Sequence, residues 1–146
     1  MISVDDFLKI DKQLCFAIYK TAGKFNKLYT SILQPFGLTY PQYLVLLALW
    51  EKDHVSMKSL GEKVNLGTGT LTPMIARMEA NGWVQKQRST KDERKVYISL
   101  QPKGVDEKEH ITQKVSEAIR TCNIKQEDYE RLMQQLATLQ AKLTKL

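Results

Sequence analysis

The segment that most constrains the fold of this chain is residues 56–104, and within it the run from Leu66 to Gly82. Leu71, Ile75 and Met78 recur there at i, i+4 and i+7, which is the spacing of one buried face of a helix. We therefore predict an amphipathic helix across this run.

The ends and the outer face of this predicted helix have distinct chemistry. We expect Thr68 to be the N-cap, because a threonine hydroxyl accepts hydrogen bonds from the free N–H groups of the first turn. We expect Gly82 to end the helix in a left-handed conformation. The outer face holds small, hydroxylated or basic residues, namely Thr70, Thr72, Pro73, Ala76 and Arg77. Such a face enters a DNA major groove, about 12 Å wide, without a steric clash.

A shorter helix is predicted just before it. Residues 57–64 turn Leu60 and Val64 inward and two lysines outward. Residues 65–67 then form a short turn that contains glycine, as a helix-turn-helix requires. Taken alone, the segment also fits an ordinary helical hairpin with a solvated outer face.

A basic β-hairpin is predicted immediately after the second helix. Residues 83–88 and 94–100 are the expected strands, since apolar and polar residues alternate in the second. The basic residues are Lys86, Arg88, Lys91, Arg94 and Lys95. In a winged helix-turn-helix, such a tip reaches the DNA backbone or the minor groove, whose potential attracts arginine. We expect Asp92 to orient the guanidinium of Arg94 through a charge-assisted hydrogen bond; a hairpin tip that is merely solvated is the alternative.

The distribution of charge favours a polyanionic partner. Residues 56–104 hold nine Lys and Arg against four Asp and Glu, a net +5 of the chain's formal +6. A basic excess confined to one third of a chain is typical of DNA-binding proteins. We assign Thr70, Pro73 and Arg77 to the major groove and Arg94 to the minor groove. The expected contacts near the backbone are Thr68, Thr72, Lys86 and Lys91.

The whole chain has the length and composition of one globular domain. Its 146 residues contain no apolar run close to the roughly 20 residues of a membrane helix. The acidic N-terminus shows no signal-peptide pattern, so we expect a cytoplasmic protein without a membrane partner. Two distant cysteines are no disulfide framework. We find no metal-ligand spacing and no phosphate loop, and we expect no cofactor. His54 and His110 are isolated and predicted to be surface residues.

The first fifty residues predict two helices. Apolar residues from Asp5 to about Leu33 recur at near-helical spacing, with an expected irregularity at Gly23. Cys15 falls on this apolar face, among Leu14, Ile18 and Tyr19. The next helix, Tyr40 to Trp50, follows a capping box formed by Thr39 and Gln42 and is apolar almost all round, so we expect it to be buried.

The C-terminal third predicts two more helices. The first runs from Pro102 to about Cys122, and residues 121–126 form a break. The second carries an a/d seam of Tyr129, Leu132, Leu136, Leu139, Leu143 and Leu146. A seam this narrow predicts a partner helix, from a second copy or from the chain's own helices. We expect a homodimer, because helix-turn-helix proteins usually pair two half-sites of a pseudo-palindromic operator through a two-fold axis.

These patterns predict a mainly α fold with a small β-hairpin wing, that is, a winged helix-turn-helix dimer. The order of its elements resembles the MarR family of bacterial transcription regulators, and the run 91–94 resembles that family's Asp-x-Arg wing signature. Residues 13–16, 37–43 and 69–74 are similar to the organic hydroperoxide resistance regulator (OhrR) subgroup. The resemblance covers residues 1–146 as one MarR-like domain. Its parts are N-terminal helices with the redox cysteine and dimer contacts (1–50), a winged helix-turn-helix (56–101) and dimerisation helices (102–146).

Two positions depart from the family pattern. Gln101 stands where the family often has threonine, which we expect to affect only a turn. Gly67 and Thr68 replace a commoner acidic-serine pair, which we expect to alter the contacts at the start of the recognition helix.

The resemblance implies a redox mechanism at Cys15. In OhrR-like proteins the matching cysteine is oxidised by organic hydroperoxides, and the thiolate is its reactive form. The family supplies two tyrosine hydroxyls from the partner subunit, which match Tyr29 and Tyr40; Tyr19 is a third candidate. Without the resemblance, the residues fit an inert buried cysteine among core tyrosines better.

Cys122 resembles the resolving cysteine of the two-cysteine branch of the subgroup, which lies near the junction of the last two helices. The resemblance implies that Cys122 resolves the oxidised Cys15 of the other subunit as a disulfide, which thiols reverse, and that operator DNA is then released. Three rival functions stay open at this point: a repressor released by a small aromatic ligand with Cys15 structural, a thiol peroxidase, and a non-specific nucleoid-type binder.

Overall fold

The computed structural model describes residues 1–144. The helices are α1 (Leu14–Leu33), α2 (Tyr40–Glu51), α3 (Met57–Val64), α4 (Thr68–Ala80), α5 (Pro102–Asp106), α6 (Lys108–Thr121) and α7 (Gln126–Thr144). The strands are β1 (Val55–Ser56), β2 (Val84–Arg88) and β3 (Val96–Leu100). The chain divides into two compact units, Met1–Ile111 and a second that begins at Thr112.

The N-terminal segment is not part of the first helix, and the predicted start at Asp5 is wrong. Two short 3-10 turns, Val4–Leu8 and Ile10–Lys12, precede α1. Local side-chain bonds hold them, since the Ser3 hydroxyl accepts from the N–H of Asp5 and the Gln13 amide donates to the carbonyl of Asp6. Such bonds compete with helix propagation.

Helix α1 then runs without a break through Gly23, so the predicted irregularity there is also wrong. One glycine in a helix interior makes helix formation less favourable in free energy, but it does not interrupt the backbone hydrogen bonds.

The entry into α2 follows the predicted capping signals. Gly37 adopts a left-handed φ of 69° after a 3-10 turn at Gln34–Phe36. The N–H of Gln42 donates to the Thr39 hydroxyl at 3.3 Å, and the N–H of Thr39 donates to the Gln42 side chain at 3.1 Å. This reciprocal pair fixes the helix start, and the buried residues that follow confirm that α2 belongs to the core.

The sheet has three antiparallel strands in the order β1-β3-β2. The predicted hairpin is confirmed, with Val84 opposite Leu100 and Arg88 opposite Val96. The prediction missed β1, whose Val55 pairs with Ile98, because a two-residue strand has no periodicity to detect. The hairpin loop is also longer than expected, and it includes Arg94 and Lys95.

The core of the first unit lies beneath the helix-turn-helix and the sheet. Its fully buried side chains include Leu33, Leu46, Leu49, Leu60, Leu71, Ile75, Met78, Trp83, Ile98 and Ile111. Burial of one such side chain contributes roughly 1.5–3 kcal/mol. The inner face of α4 supplies three of them, so the core fixes the orientation of its outer face.

The predicted helix from Pro102 to Cys122 is broken at Glu107 into α5 and α6. Gly104, which is buried, fixes the position of α5. Its carbonyl accepts the Trp50 indole N–H at 2.8 Å. On the side that faces the Trp83 carbonyl there is room only for a hydrogen atom. This close approach sets the position of α5 before α6 begins.

In the second unit, α6 ends at Thr121, Asn123 adopts a left-handed φ of 55°, and α7 follows. The apolar seam of α7 is about half exposed in the single chain, at Tyr129, Leu132, Leu136 and Leu143. Leu146, the last predicted seam position, lies outside the described residues. The chain's own described residues therefore do not bury this seam.

No single helix within residues 1–144 has the length and hydropathy of a membrane span. The bent pair formed by residues 14–36 and 40–51 meets that test together, on length and composition alone.

Candidate nucleic-acid interface and thiol site

The recognition helix α4 begins one residue earlier than predicted. Gly67, not Thr68, is the N-cap, and its carbonyl accepts from the N–H groups of Thr70 and Leu71 at 3.1 and 2.9 Å. The predicted role of Thr68 as N-cap is wrong because Thr68 already has its place in the first turn of the helix. Its side chain is exposed there.

The C-terminal end of α4 confirms the prediction for Gly82. Gly82 has a φ of 85°, and its N–H donates to the Glu79 carbonyl at 3.1 Å. The N–H of Trp83 donates to the Met78 carbonyl at 2.9 Å, which completes a Schellman motif. The Glu79 carboxylate accepts the N–H of Lys86 at 2.7 Å. The end of the recognition helix is thereby tied directly to the wing.

The outer face of α4 is exposed in the single chain. Its exposed residues are Thr68, Thr70, Thr72, Pro73, Ala76 and Arg77, whereas the inner face is buried at Leu71, Met74, Ile75 and Met78. Pro73 lies inside the helix, where it removes one backbone hydrogen bond. A helix face with short side chains and one arginine suits the major groove.

A groove of about 790 Å³ lies beside this face. We call it the basic groove. Its cationic lining residues are Lys52, Lys58, Lys86, Arg88, Arg94 and Lys95, and Thr68, Thr72 and His54 also line it. Among the described lining residues there is no Asp or Glu. The potential in the groove therefore favours a polyanion such as the DNA backbone.

The structure thus groups the predicted DNA-binding residues in two places. Thr68, Thr72, Lys86 and Arg94 line the basic groove, while Thr70, Pro73 and Arg77 lie on the outer face of α4. Lys91 and Asp92 are exposed in the hairpin loop and do not line the groove.

Five basic groove residues were not assigned as DNA contacts from the sequence: Lys52, His54, Lys58, Arg88 and Lys95. The sequence identifies Lys58 as an outward lysine and Arg88 and Lys95 as basic residues of the hairpin, without a specific contact for any of them. Lys52 and His54 gave no signal, because only the pairing of β1 with β3 brings their loop to the wing.

The predicted contact between Asp92 and the Arg94 guanidinium is wrong. The Asp92 carboxylate instead accepts the backbone N–H of Arg94 at 3.1 Å. The guanidinium of Arg88 donates to the Glu93 carbonyl at 2.8 Å. A short carboxylate two residues before an amide prefers such a local turn, so Asp92 shapes the loop.

Cys15, at the second position of α1, is exposed. Its Sγ lies 4.0 Å from the Gln13 side-chain oxygen. The apolar neighbours predicted for it are present but uncovered in the single chain, with Leu14 60%, Ile18 37% and Tyr19 77% exposed. Cys122 is also exposed, just beyond α6, and its Sγ is 3.6 Å from the Ala118 carbonyl oxygen.

Three tyrosines form a stacked cluster, which includes two of those assigned to the thiolate pocket. The ring of Tyr29 stacks on Tyr40 at 4.6 Å and on Tyr43 at 5.5 Å between centroids. Burial, and then the nearby phenols of Tyr29 and Tyr40, raise the pKa of Tyr43 to about 12. Tyr19 is not part of this stack. Tyr43 could not be singled out from the sequence, because α2 is apolar on nearly all sides.

Residues 1–144 hold no group of three or more His, Cys, Asp or Glu side chains placed to bind a metal ion.

The recognition helix, the three-stranded wing and the basic groove define a winged helix-turn-helix regulator of transcription. The family model described as transcriptional regulator SarA/Rot matches residues 27–111. The chain belongs to this MarR-like family of DNA-binding transcriptional regulators.

Two curated relatives are similar to this chain. The organic hydroperoxide resistance transcriptional regulator of Bacillus subtilis is 40% identical over 134 residues, which is 92% of this chain and 91% of the relative. The regulator TtmR of Methylorubrum extorquens is 50% identical over 100 residues, 68% of this chain but only 51% of the relative. The match therefore spans about half the length of TtmR.

The solved structures of AbfR from Staphylococcus epidermidis include several redox forms. Reduced AbfR bound to DNA matches with a TM-score of 0.82 and 35% identity, covering 95% of each chain. Disulfide-formed AbfR matches with a TM-score of 0.66 and 37% identity, covering 92% of this chain and 95% of that one. The TM-score is thus higher for the reduced, DNA-bound form than for the disulfide form.

Proposed function

We propose that this chain is a homodimeric repressor that binds a pseudo-palindromic operator and releases it when an organic hydroperoxide oxidises Cys15. The observation that carries the redox part is the exposed Cys15 thiol, in a chain 40% identical to an organic hydroperoxide resistance regulator.

The proposed oxidation follows ordinary thiol chemistry. The Cys15 thiolate attacks one peroxide oxygen, the O–O bond breaks, and a sulfenic acid and an alcohol are formed. The Cys122 thiol of the other subunit then displaces hydroxide from the sulfenic sulfur, which yields an intersubunit disulfide and water. The exposure of both thiols in the single chain supports this sequence, since the described residues of the chain itself keep neither thiol from a second subunit.

The stacked tyrosines support the assignment of Cys15 as the thiol that the peroxide oxidises. In the proposed dimer, the phenols of Tyr29 and Tyr40 donate hydrogen bonds to the Cys15 thiolate of the other subunit, and Tyr19 adds a hydroxyl one turn from Cys15. The buried ring of Tyr43 stacks on the ring of Tyr29 and so helps to fix its position. The apolar residues around Cys15 favour an alkyl or lipid hydroperoxide over hydrogen peroxide.

The redox forms of AbfR support disulfide formation as the release step. Overoxidized AbfR is described as bound to DNA, and its structure matches this chain with a TM-score of 0.79, against 0.66 for the disulfide form. Overoxidation is thus compatible with DNA binding in that protein. By analogy, we assign release in this chain to the Cys15–Cys122 crosslink.

On DNA, the outer face of α4 reads the major groove through Thr70, Pro73 and Arg77. Arg94 enters the minor groove, and contacts near the backbone come from Thr68, Thr72, Lys86 and Lys91. The half-exposed seam of α7 supports pairing of two copies, which is the symmetry that a palindromic site requires.

The wing contact gives a direct test. Arg94→Ala will weaken operator binding by about 1–3 kcal/mol, because an arginine in a narrow minor groove gains from its potential. The measurement is a fluorescence-anisotropy titration of an operator that the wild-type protein has selected from random duplexes. Arg120→Ala, an exposed arginine on α6 that loses the same charge, is the matched control. Equal affinities and salt slopes for both variants would exclude the wing contact.

The crosslink gives a second test. After stoichiometric cumene hydroperoxide, wild-type protein will run as a dimer on a non-reducing denaturing gel, while Cys122→Ser and Cys15→Ser will run as monomers, since each lacks one thiol of the disulfide. Dithiothreitol will return the wild type to monomer. A wild-type protein that stays monomeric after peroxide would overturn the role of Cys122.

A further inference from the structure

His54 occupies a strained position in the loop between α2 and β1. Its φ of 56° is one that L residues other than Asn, Asp and His rarely adopt. The Asp53 carboxylate holds this turn, accepting the N–H of His54 at 2.8 Å and the N–H of Leu100 at 2.9 Å. The loop is thereby fixed to the end of β3.

The imidazole ring is equally fixed. It lies parallel to the ring of Tyr97, with 5.0 Å between centroids and 7° between planes. Its Nδ1 is 2.9 Å from the Ser99 hydroxyl. One face and one nitrogen are thus occupied, while Nε2 forms no hydrogen bond to any described residue. The sequence had suggested only an isolated surface histidine.

The ring lines the basic groove together with six cations: Lys52, Lys58, Lys86, Arg88, Arg94 and Lys95. These belong to the end of α2, to α3, to β2 and to the hairpin loop. The remaining ionisable groups beside His54 are Asp53, whose carboxylate binds two backbone N–H groups, and the Tyr97 phenol. Among side chains in general, imidazole is the one whose charge ordinarily changes between about pH 5.5 and 8.

We propose that His54 is a phosphate ligand of the DNA interface whose contribution depends on its protonation. With Ser99 bound at Nδ1, the Nε2–H donates to a backbone phosphate oxygen in the basic groove. The protonated ring adds a seventh positive charge to the groove; the neutral ring keeps the hydrogen bond and loses the charge. The inference rests on the DNA-binding function proposed for this groove.

The test compares DNA binding of reduced, full-length protein at about pH 5.5 and about pH 8, across a range of salt concentrations. Wild type will bind the operator up to about tenfold more tightly at the lower pH, as expected for one charge-assisted contact. Its plot of log affinity against log salt will be steeper there by about 0.9, the contribution of one further phosphate contact. A non-operator duplex of equal length will show the same differences, since phosphates carry no sequence information.

Matched variants assign the effect. His54→Asn, which keeps a residue tolerated at positive φ, will lose both pH differences. His110→Gln, which alters the only other histidine of the chain, is the control and will keep the wild-type differences; His110 pairs with Glu107 and packs against Phe36. Circular dichroism at both pH values checks that each variant is folded.

The inference is overturned if the wild type shows no pH difference, if His54→Asn keeps it, or if His110→Gln loses it. If one of these results is found while Arg94→Ala still lowers the affinity for DNA, the proposed DNA-binding surface stands and only the role of His54 is excluded. An Arg94→Ala variant with unchanged affinity would count instead against the surface itself.

Discussion

Replacing Cys15 by serine will leave the operator affinity of the reduced protein within about twofold of wild type, because the residue is remote in sequence from the recognition helix and the wing and surface changes of this kind alter little. The same change will abolish release by organic hydroperoxide altogether. Serine keeps the shape of the side chain but has no thiolate to attack the peroxide.

The measurement is a gel shift of the selected operator with Cys15→Ser and wild type in parallel, each before and after cumene hydroperoxide. Cys122→Ser, which removes the other exposed thiol, will also keep its DNA after peroxide because it cannot form the crosslink, and it separates sensing from crosslinking. Its Cys15 still becomes a sulfenic acid, detectable with dimedone, whereas Cys15→Ser takes up none. Release of DNA from Cys15→Ser by peroxide would contradict the assignment of Cys15 as the sensor.

Gly104→Ala will destabilise the protein by about 1–3 kcal/mol, the range typical of a buried position that is overpacked. A Cβ at Gly104 would lie 2.5 Å from the Trp83 carbonyl oxygen and 3.0 Å from Leu100 Cδ2. The Trp83 carbonyl cannot easily retreat, because it accepts the N–H of Gln101 at 3.0 Å. The Gly104 carbonyl is itself held by the Trp50 indole.

The free energy of unfolding in urea, at equal protein concentrations, measures this loss. Gly23→Ala is the control: a Cβ there meets nothing within 4 Å, and alanine in a helix interior will stabilise α1 by about 0.5–1 kcal/mol. A Gly104→Ala variant as stable as wild type would show that α5 moves freely against the sheet.

The elements that could be predicted from sequence are those with strong local signals. The period of Leu71, Ile75 and Met78 predicts the buried face of α4, and the pairing of Thr39 with Gln42 predicts the start of α2. Gly82 ends α4 as expected, since few other residues adopt its φ without cost. These features depend on contacts within a few residues, which a sequence displays directly.

The elements that escaped prediction depend on distant contacts or on competition between similar local bonds. Strand β1 exists because β3 is available to pair with it, and the basic groove acquires Lys52 and His54 only through that pairing. The Asp92 carboxylate had two possible hydrogen-bond donors on Arg94, and it accepts from the backbone N–H rather than from the guanidinium. Around Cys15 the sequence shows apolar neighbours, but their cover has to come from outside the described residues of the single chain.

The central claim is that this regulator is a reversible sensor of organic hydroperoxide. The most direct test is the fraction of operator bound by wild-type protein when reduced, after stoichiometric cumene hydroperoxide, and again after dithiothreitol. We expect binding, release and recovered binding, since a disulfide is reversed by thiols. Binding that is indifferent to peroxide would contradict the claim, leave the DNA-binding fold in place, and point to a small-molecule ligand as the signal.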